Sequence, residues 1–290
     1  MSSGAHLEVP SNLDYFATLV AEDQGFPLLE AAIAVGQARD PDLDPQAVMV
    51  ALDRLGARLA RRIPSDAVPL QRLRWLNRYF FDELAFGGNV NDYHAADNSY
   101  LHCVLDSRRG IPITLALLYI ELAGHAGLKA RGIGFPGHFL VKLRLPRGEV
   151  VIDPFTGQSL SREDLEERLG PYLRHRGLLG EFEVPLGLFL QEATPREFLA
   201  RLLRNLKEIH LCAEDWPALL QVQERLVRLM PLAWQEHRDR GLAYAELGMD
   251  ELALADLQTY LEHCAEAEDA PALRERMARM GPAGTGRWTP

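Results

Sequence analysis

The sequence predicts an α+β domain with a helical N-terminal lobe, followed by an all-α tail. Three observations lead there. Apolar residues recur at helical spacing through the first 86 positions. Between residues 112 and 170 a helix, three β-like pieces and another helix follow one another. From Thr194 onward every segment is helical in pattern and matches itself at an offset of 34 residues. The boundaries read from the chain are 1–185 for the first domain, with a lobe at 12–86 and a core at 95–170, then 194–280 for the tail, and 281–290 as a disordered end.

In the lobe, Ser11 or Asn12 caps a segment with Leu13, Phe16, Leu19 and Val20 on one face. Asp44-Pro45 opens a second, with Val48, Leu52, Leu55 and Leu59 in register, and a third runs from about Val68 to Ala85. The following GGNVNDYHAADN reads as a solvated loop, because Gly, Asn and Asp supply turns. Its Asp92, His94 and Asp97 have neither EF-hand nor zinc spacing, so no metal and no cofactor is expected.

Composition narrows the function classes. With 290 residues and 47% hydrophobics the chain can bury two packed units. Acidic residues (41) outnumber basic ones (31), which argues against a surface that tracks nucleic-acid phosphates, although a local arginine cluster stays open. Cys103, Cys212 and Cys264 are odd in number and form no CxxC pair, as expected in a reducing cytoplasm. The start lacks a basic, apolar leader, and the run Ile111–Ala123 is too short to span a bilayer, so neither export nor a membrane is expected.

The core carries the chemistry. GIPITLALLYIELAGHAGL reads as a buried helix with Pro112 in its first turn and Gly127 as its stop. Strands are expected near 130–135, 138–145 and 149–153, and Ser161 with Asp164 forms a capping box ahead of the next helix. A helix N-terminus, a histidine 26 residues later and an aspartate 15 after that form the layout of a Cys-His-Asp thiol site, because the positive helix end favours a thiolate and the acid orients the imidazole. Here the first place holds Pro112, and His138 and Asp153 hold the others.

NSYLHCVLDSRRGIPITLALLYIELAGHAGL, GIGFPGHFLVK and VIDPFTGQ resemble the bacterial SirB-type family, a branch of the transglutaminase-like superfamily with a papain-like core. The resemblance implies that the family's catalytic cysteine falls on Pro112, counting back from Gly127, Ala130 and Arg131, and its His and Asp on His138 and Asp153. Members are described as regulators of SirC expression. Proline offers no nucleophilic atom and no backbone N–H, which excludes ordinary acyl transfer at that position. Two readings of His138 and Asp153 stay open: a vestigial chemical site, or a hydrogen-bonded core histidine that ties two strands.

An alternative nucleophile is Cys103, which would make the chain a thiol hydrolase or acyl transferase; against this, Leu101, Val104 and Leu105 mark its segment as packed, with neither access nor a nearby cation for the thiol. Thr114 is read as facing either the pocket or its own first helical turn. Arg108 and Arg109 are candidates for an anion beside the helix start, and Gly137 lets backbone approach closely ahead of His138.

In the tail the offset sets His210 over Tyr244, Ala213 over Leu247, Leu219 over Ala253 and Leu226 over Tyr260, which is the tetratricopeptide period. The pair is expected to dock on the first domain and to be closed by PALRERMARM, with Leu273, Met277 and Met280 in register. Its groove is read as holding either a peptide or the chain's own Phe182–Phe189. The leading expectation is a non-enzymatic binding or regulatory protein with a protein or peptide partner. The alternatives are the Cys103 enzyme and a structural assembly partner.

Overall fold

The computed structural model describes residues 10–22, 25–146, 148–178 and 184–280. The predicted disordered end at 281–290 and Phe182 lie outside them. The chain divides into two compact units, one formed by Glu22–Leu202, the other by the residues up to Ala21 together with those from Leu203 on.

Ser11 caps α1 (Asn12–Leu19) through a reciprocal bond with Asp14. The sequence reading places this helix in the N-terminal lobe; it belongs instead to the unit of the tail. The reason is cover. A short helical array leaves an apolar side open, and fully buried Phe16 fills it, with the Arg225 guanidinium 5.9 Å from its ring centroid.

The larger unit opens with α2 (Leu28–Ala34) and α3 (Pro45–Arg62), whose Asp44 cap accepts the Gln46 N–H and whose Leu52, Leu55 and Leu59 are buried. α4 (Pro69–Asn77) passes into a π-helical turn at 78–83, where one continuous helix to Ala85 is predicted. That turn packs Phe80 against Phe86 and Tyr119, and Phe81 against Tyr119. A two-residue strand β1 (Gly87–Gly88) pairs in parallel with β2 (Arg109–Gly110), and between them lies α5 (Leu101–Ser107).

α6 (Pro112–His125) is buried continuously from Pro112 to Tyr119, as an all-round apolar helix must be. Gly127, at φ +72°, ends it. The strands β3 (Lys129–Ile133), β4 (Leu140–Leu145), β5 (Gly148–Ile152) and β6 (Ser159–Leu160) then form one antiparallel sheet in sequence order. Ile133, Leu140 and Val151 share one of its faces and bury Leu165 and Leu169 of α7 (Arg162–His175), which Ser161 caps as predicted.

Leu186 and Phe189 pack on that same cluster, with the Phe189 ring 6.0 Å from Tyr172.

The tail holds α8 (Pro195–Cys212), α9 (Trp216–Leu229), α10 (Trp234–Glu246), α11 (Asp250–His263) and α12 (Ala270–Arg279). His210 and Tyr244, Leu219 and Ala253, and Leu226 and Tyr260 are buried in both members of each pair, whereas Ala213 is exposed where Leu247 is partly buried. Gly241 is required by close approach: a β-carbon there would stand 3.0 Å from Leu257. Leu273 and Met277 of α12 cover Leu257 and Tyr260.

Candidate functional site

After β3 the chain reverses through Phe135-Pro136-Gly137-His138, closed by the His138 N–H donating to the Phe135 carbonyl at 3.0 Å. Gly137 has φ +70°, which an L side chain rarely adopts, and open space where a β-carbon would stand. Its requirement is therefore backbone conformation. The turn sets His138 with Nε2 2.9 Å from Oδ1 of Asp153, just beyond β5.

Asp153 is buried and holds three partners. Oδ1 also accepts the Phe155 N–H at 2.9 Å, and Oδ2 accepts Nη1 of Arg168, from α7, at 2.9 Å. Burial pushes this carboxyl up, but the His138 hydrogen bond and charge, Arg168 and the Phe155 N–H outweigh it and hold the pKa at about 2. An ionised Asp153 only accepts, so Nε2 of His138 carries the proton. That leaves Nδ1, which has no partner among the described residues, on a side chain 23% exposed. One nitrogen held by the acid and the other without a partner among the described residues is the polarity of a thiol-enzyme imidazole.

Phe155 links this pair to the start of α6. Its ring lies 6.4 Å from His138 and 5.9 Å from Tyr93, and its carbonyl accepts the Gly88 N–H. Gly88 has to be glycine, because a β-carbon would fall 2.2 Å from the Phe155 ring. The adjacent Asn89 N–H donates to the Gly110 carbonyl, two residues before Pro112.

At Pro112 itself the arrangement is closed. The Thr114 hydroxyl is buried; it accepts the Ile111 N–H and lies 2.8 Å from the Asn98 carbonyl, to which it donates. Asn98 in turn donates to the carbonyls of Asp92 and Tyr93, and Asn89 donates to its side-chain oxygen. The loop expected to be solvated is thus tied down through a buried asparagine.

The remaining candidates lie on α5 and the residues that follow it. Arg109 spends Nη1 on the carbonyls of Ala85 and Arg108. Arg108, itself left-handed at φ +61°, stacks over Phe86 at 4.7 Å, and its buried Nη1 has no hydrogen-bond partner among the described residues. Cys103 is half-buried, and its polar contacts are Arg39, whose Nη1 is 2.9 Å from Sγ, and His102 at 3.3 Å; His138 and Asp153 are not among them. The expectation of no nearby cation is overturned. Arg39 arrives from a segment 64 positions earlier, beyond any local sequence signal. Burial still raises the thiol pKa, with Arg39 opposing it.

Among the described residues no group of three or more His, Cys, Asp or Glu is placed to hold a metal ion. Sequence reasoning missed Arg168, Phe155 and Tyr93. Only Phe155 had a signal: Asp-Pro-Phe after a strand suits a side chain that bonds backbone two residues on.

Fold and site together define a transglutaminase-like domain followed by tetratricopeptide repeats. The Transglutaminase-like superfamily matches residues 46–204 and the Tetratricopeptide repeat residues 206–278. The chain is 35% identical to a UPF0162 protein of Xylella fastidiosa, with 83% of this chain and 85% of that protein covered. It is 30% identical to UPF0162 protein YchA of Escherichia coli K12 and 27% identical to Protein SirB1 of Salmonella typhimurium, in both cases over 87% of this chain and 91% of the relative. The chain belongs to this UPF0162 and SirB family of the transglutaminase-like superfamily.

Proposed function

We propose that this chain is a non-enzymatic binding protein of regulatory type, in which a transglutaminase-like core without its nucleophile and a repeat tail recognise a protein or peptide in the cytoplasm. Pro112 carries the reading. It stands at the helix start where a thiol would gain from the helix dipole, and it supplies neither a nucleophile nor an N–H for an oxyanion. His138 and Asp153 then act as a binding pair: an oriented imidazole with Nδ1 available to a ligand. The tail supports a protein partner, since repeat arrays present long concave surfaces. Cys103 is a poor substitute nucleophile, because its bonds run to Arg39 and His102 and burial disfavours its thiolate.

The test pairs capture with turnover. The intact chain is used as bait in the cytosol of its own cell, and the purified chain is assayed with ester, thioester and amide substrates. A partner recovered in fixed stoichiometry at unchanged mass, with no turnover, is expected. Hydrolysis or transfer that disappears in His138→Ala or Cys103→Ser would establish an enzyme instead.

A further inference from the structure

Arg201, on α8, is a cation without an anionic partner among the described residues. Its Nη1 donates to the Phe135 carbonyl at 3.1 Å, the same carbonyl that accepts the His138 N–H and closes the turn. Its guanidinium lies 5.5 Å from the Phe139 ring centroid, and Phe139 packs edge-on to Phe198. No carboxylate among the described residues pairs with it, and burial lowers its pKa, opposed only by the charge of Tyr93.

A partly buried guanidinium held by one carbonyl and one ring face keeps donors to spare for an anion. The uncompensated charge also lies at the candidate site. Arg201 and His138 share the Phe135 carbonyl, while Tyr93 and His138 flank the same Phe155 ring. With Nη1 engaged, the Nε and Nη2 edge remains, which is the two-donor fork that matches the two oxygens of a carboxylate. The Tyr93 hydroxyl, on an exposed side chain with no hydrogen-bond partner among the described residues, adds a third donor.

We propose that Arg201, with the Tyr93 hydroxyl, receives a carboxylate of the ligand beside the His138 imidazole. This deepens the binding-protein reading and rests on its placement of the site at His138. The carboxylate could belong to a small acid or to a peptide terminus or acidic side chain; the recognised group is the same.

The experiment titrates the intact chain with N-acetylglycine, N-acetylglycinamide, a tripeptide free acid and its amide, and inorganic phosphate, at constant ionic strength. The readout is the His138 ring resonances in histidine-labelled protein. The carboxylates should shift His138 saturably and their amides should not. Arg201→Gln should weaken the carboxylate roughly tenfold or more, and Tyr93→Phe about threefold. If Arg201→Gln does not fold, Arg201→Lys keeps the charge, loses the fork, and should lose most of the acid-over-amide preference. The tripeptide tighter than N-acetylglycine identifies a peptide source; the reverse identifies a small acid.

No saturable shift, equal shifts by acid and amide, a preference unchanged in the Arg201 variants, or phosphate binding in place of carboxylate would each overturn the assignment. Turnover in the preceding assay would remove the non-enzymatic reading and leave this one standing. Loss of the acid preference with partner capture intact would remove this one alone.

Discussion

The start of α6 and the end of β5, the two arms of the proposed site, differ in how their polar groups are used. At α6 the hydroxyl of Thr114 and the amide of Asn98 serve their own neighbours beside Pro112. At β5 the buried Asp153 still holds an imidazole whose second nitrogen is unspent. The contrast separates two kinds of loss. Asp153 orients the imidazole whether the pair is disused or binds a ligand, and Nδ1, on a side chain 23% exposed, is left for water or for a ligand. The α6 arm reads mainly as packing: Thr114 donates to the Asn98 carbonyl and Asn98 to that of Asp92, while the buried Ser99 hydroxyl beside Asn98 has no hydrogen-bond partner among the described residues.

The largest effect should follow from breaking the retained arm. Asp153→Ala leaves Arg168 and His138 without their shared acceptor, and should cost about 3 kcal/mol in urea unfolding at pH 7. The pH dependence has a definite sign. The folded pKa of Asp153 is depressed to about 2 from an ordinary 3.8, so its contribution is fully present above about pH 4 and is lost as pH falls toward 2. That amounts to roughly 2 kcal/mol across the window, and Asp153→Asn should flatten this part of the stability profile. An unchanged acid limb in Asp153→Asn would mean that the carboxylate is no tighter held than a surface one.

A smaller effect tests whether the two arms still face each other. In a background with Cys103, Cys212 and Cys264 replaced by Ser, Pro112→Cys puts a thiol at the α6 N-terminus. The helix end and, if His138 is opposite, its imidazolium lower its pKa, while burial at this position raises it. The readout is therefore the difference between Pro112→Cys alone and with His138→Ala, from alkylation rate against pH. A midpoint about one unit higher without His138 is expected. Coincident midpoints would show that residue 112 is not opposite the imidazole.

Most of the core was legible in the chain. Spacing alone places Pro112, His138 and Asp153 on a helix start and two strand ends, because strand length and turn chemistry fix those positions within a residue or two. The lobe and the charges were less so. The π-helical turn at 78–83 arises from aromatic packing of Phe80 and Phe81 against Tyr119, and no local pattern encodes it. α1 joins the tail's unit across more than 180 intervening residues. Arg168, Arg201 and Arg39 matter through what they meet, and an arginine at a helical position looks the same in sequence whether it meets water, a carboxylate, a carbonyl or a thiol.

The smallest effect concerns Cys103, which sharpens the comparison by asking whether a third place supplies the missing thiol. Its environment sends two opposed signals. Burial raises its pKa, and Arg39 at 2.9 Å lowers it; Asp97 and Asp106 add to the rise, and Asp97 also pairs with Arg39 at 2.5 Å. Burial is the larger influence, so in a chain with Cys212 and Cys264 replaced by Ser the alkylation midpoint of Cys103 should lie above that of a free thiol. Arg39→Ala removes the one favourable charge and should move the midpoint up further, by less than about one unit because the arginine is itself partly solvated. His138→Ala should leave it where it is, since no polar contact joins the two. A midpoint below the free-thiol value that rises when His138 is removed would place Cys103 in the catalytic arm and reverse the reading of the whole site.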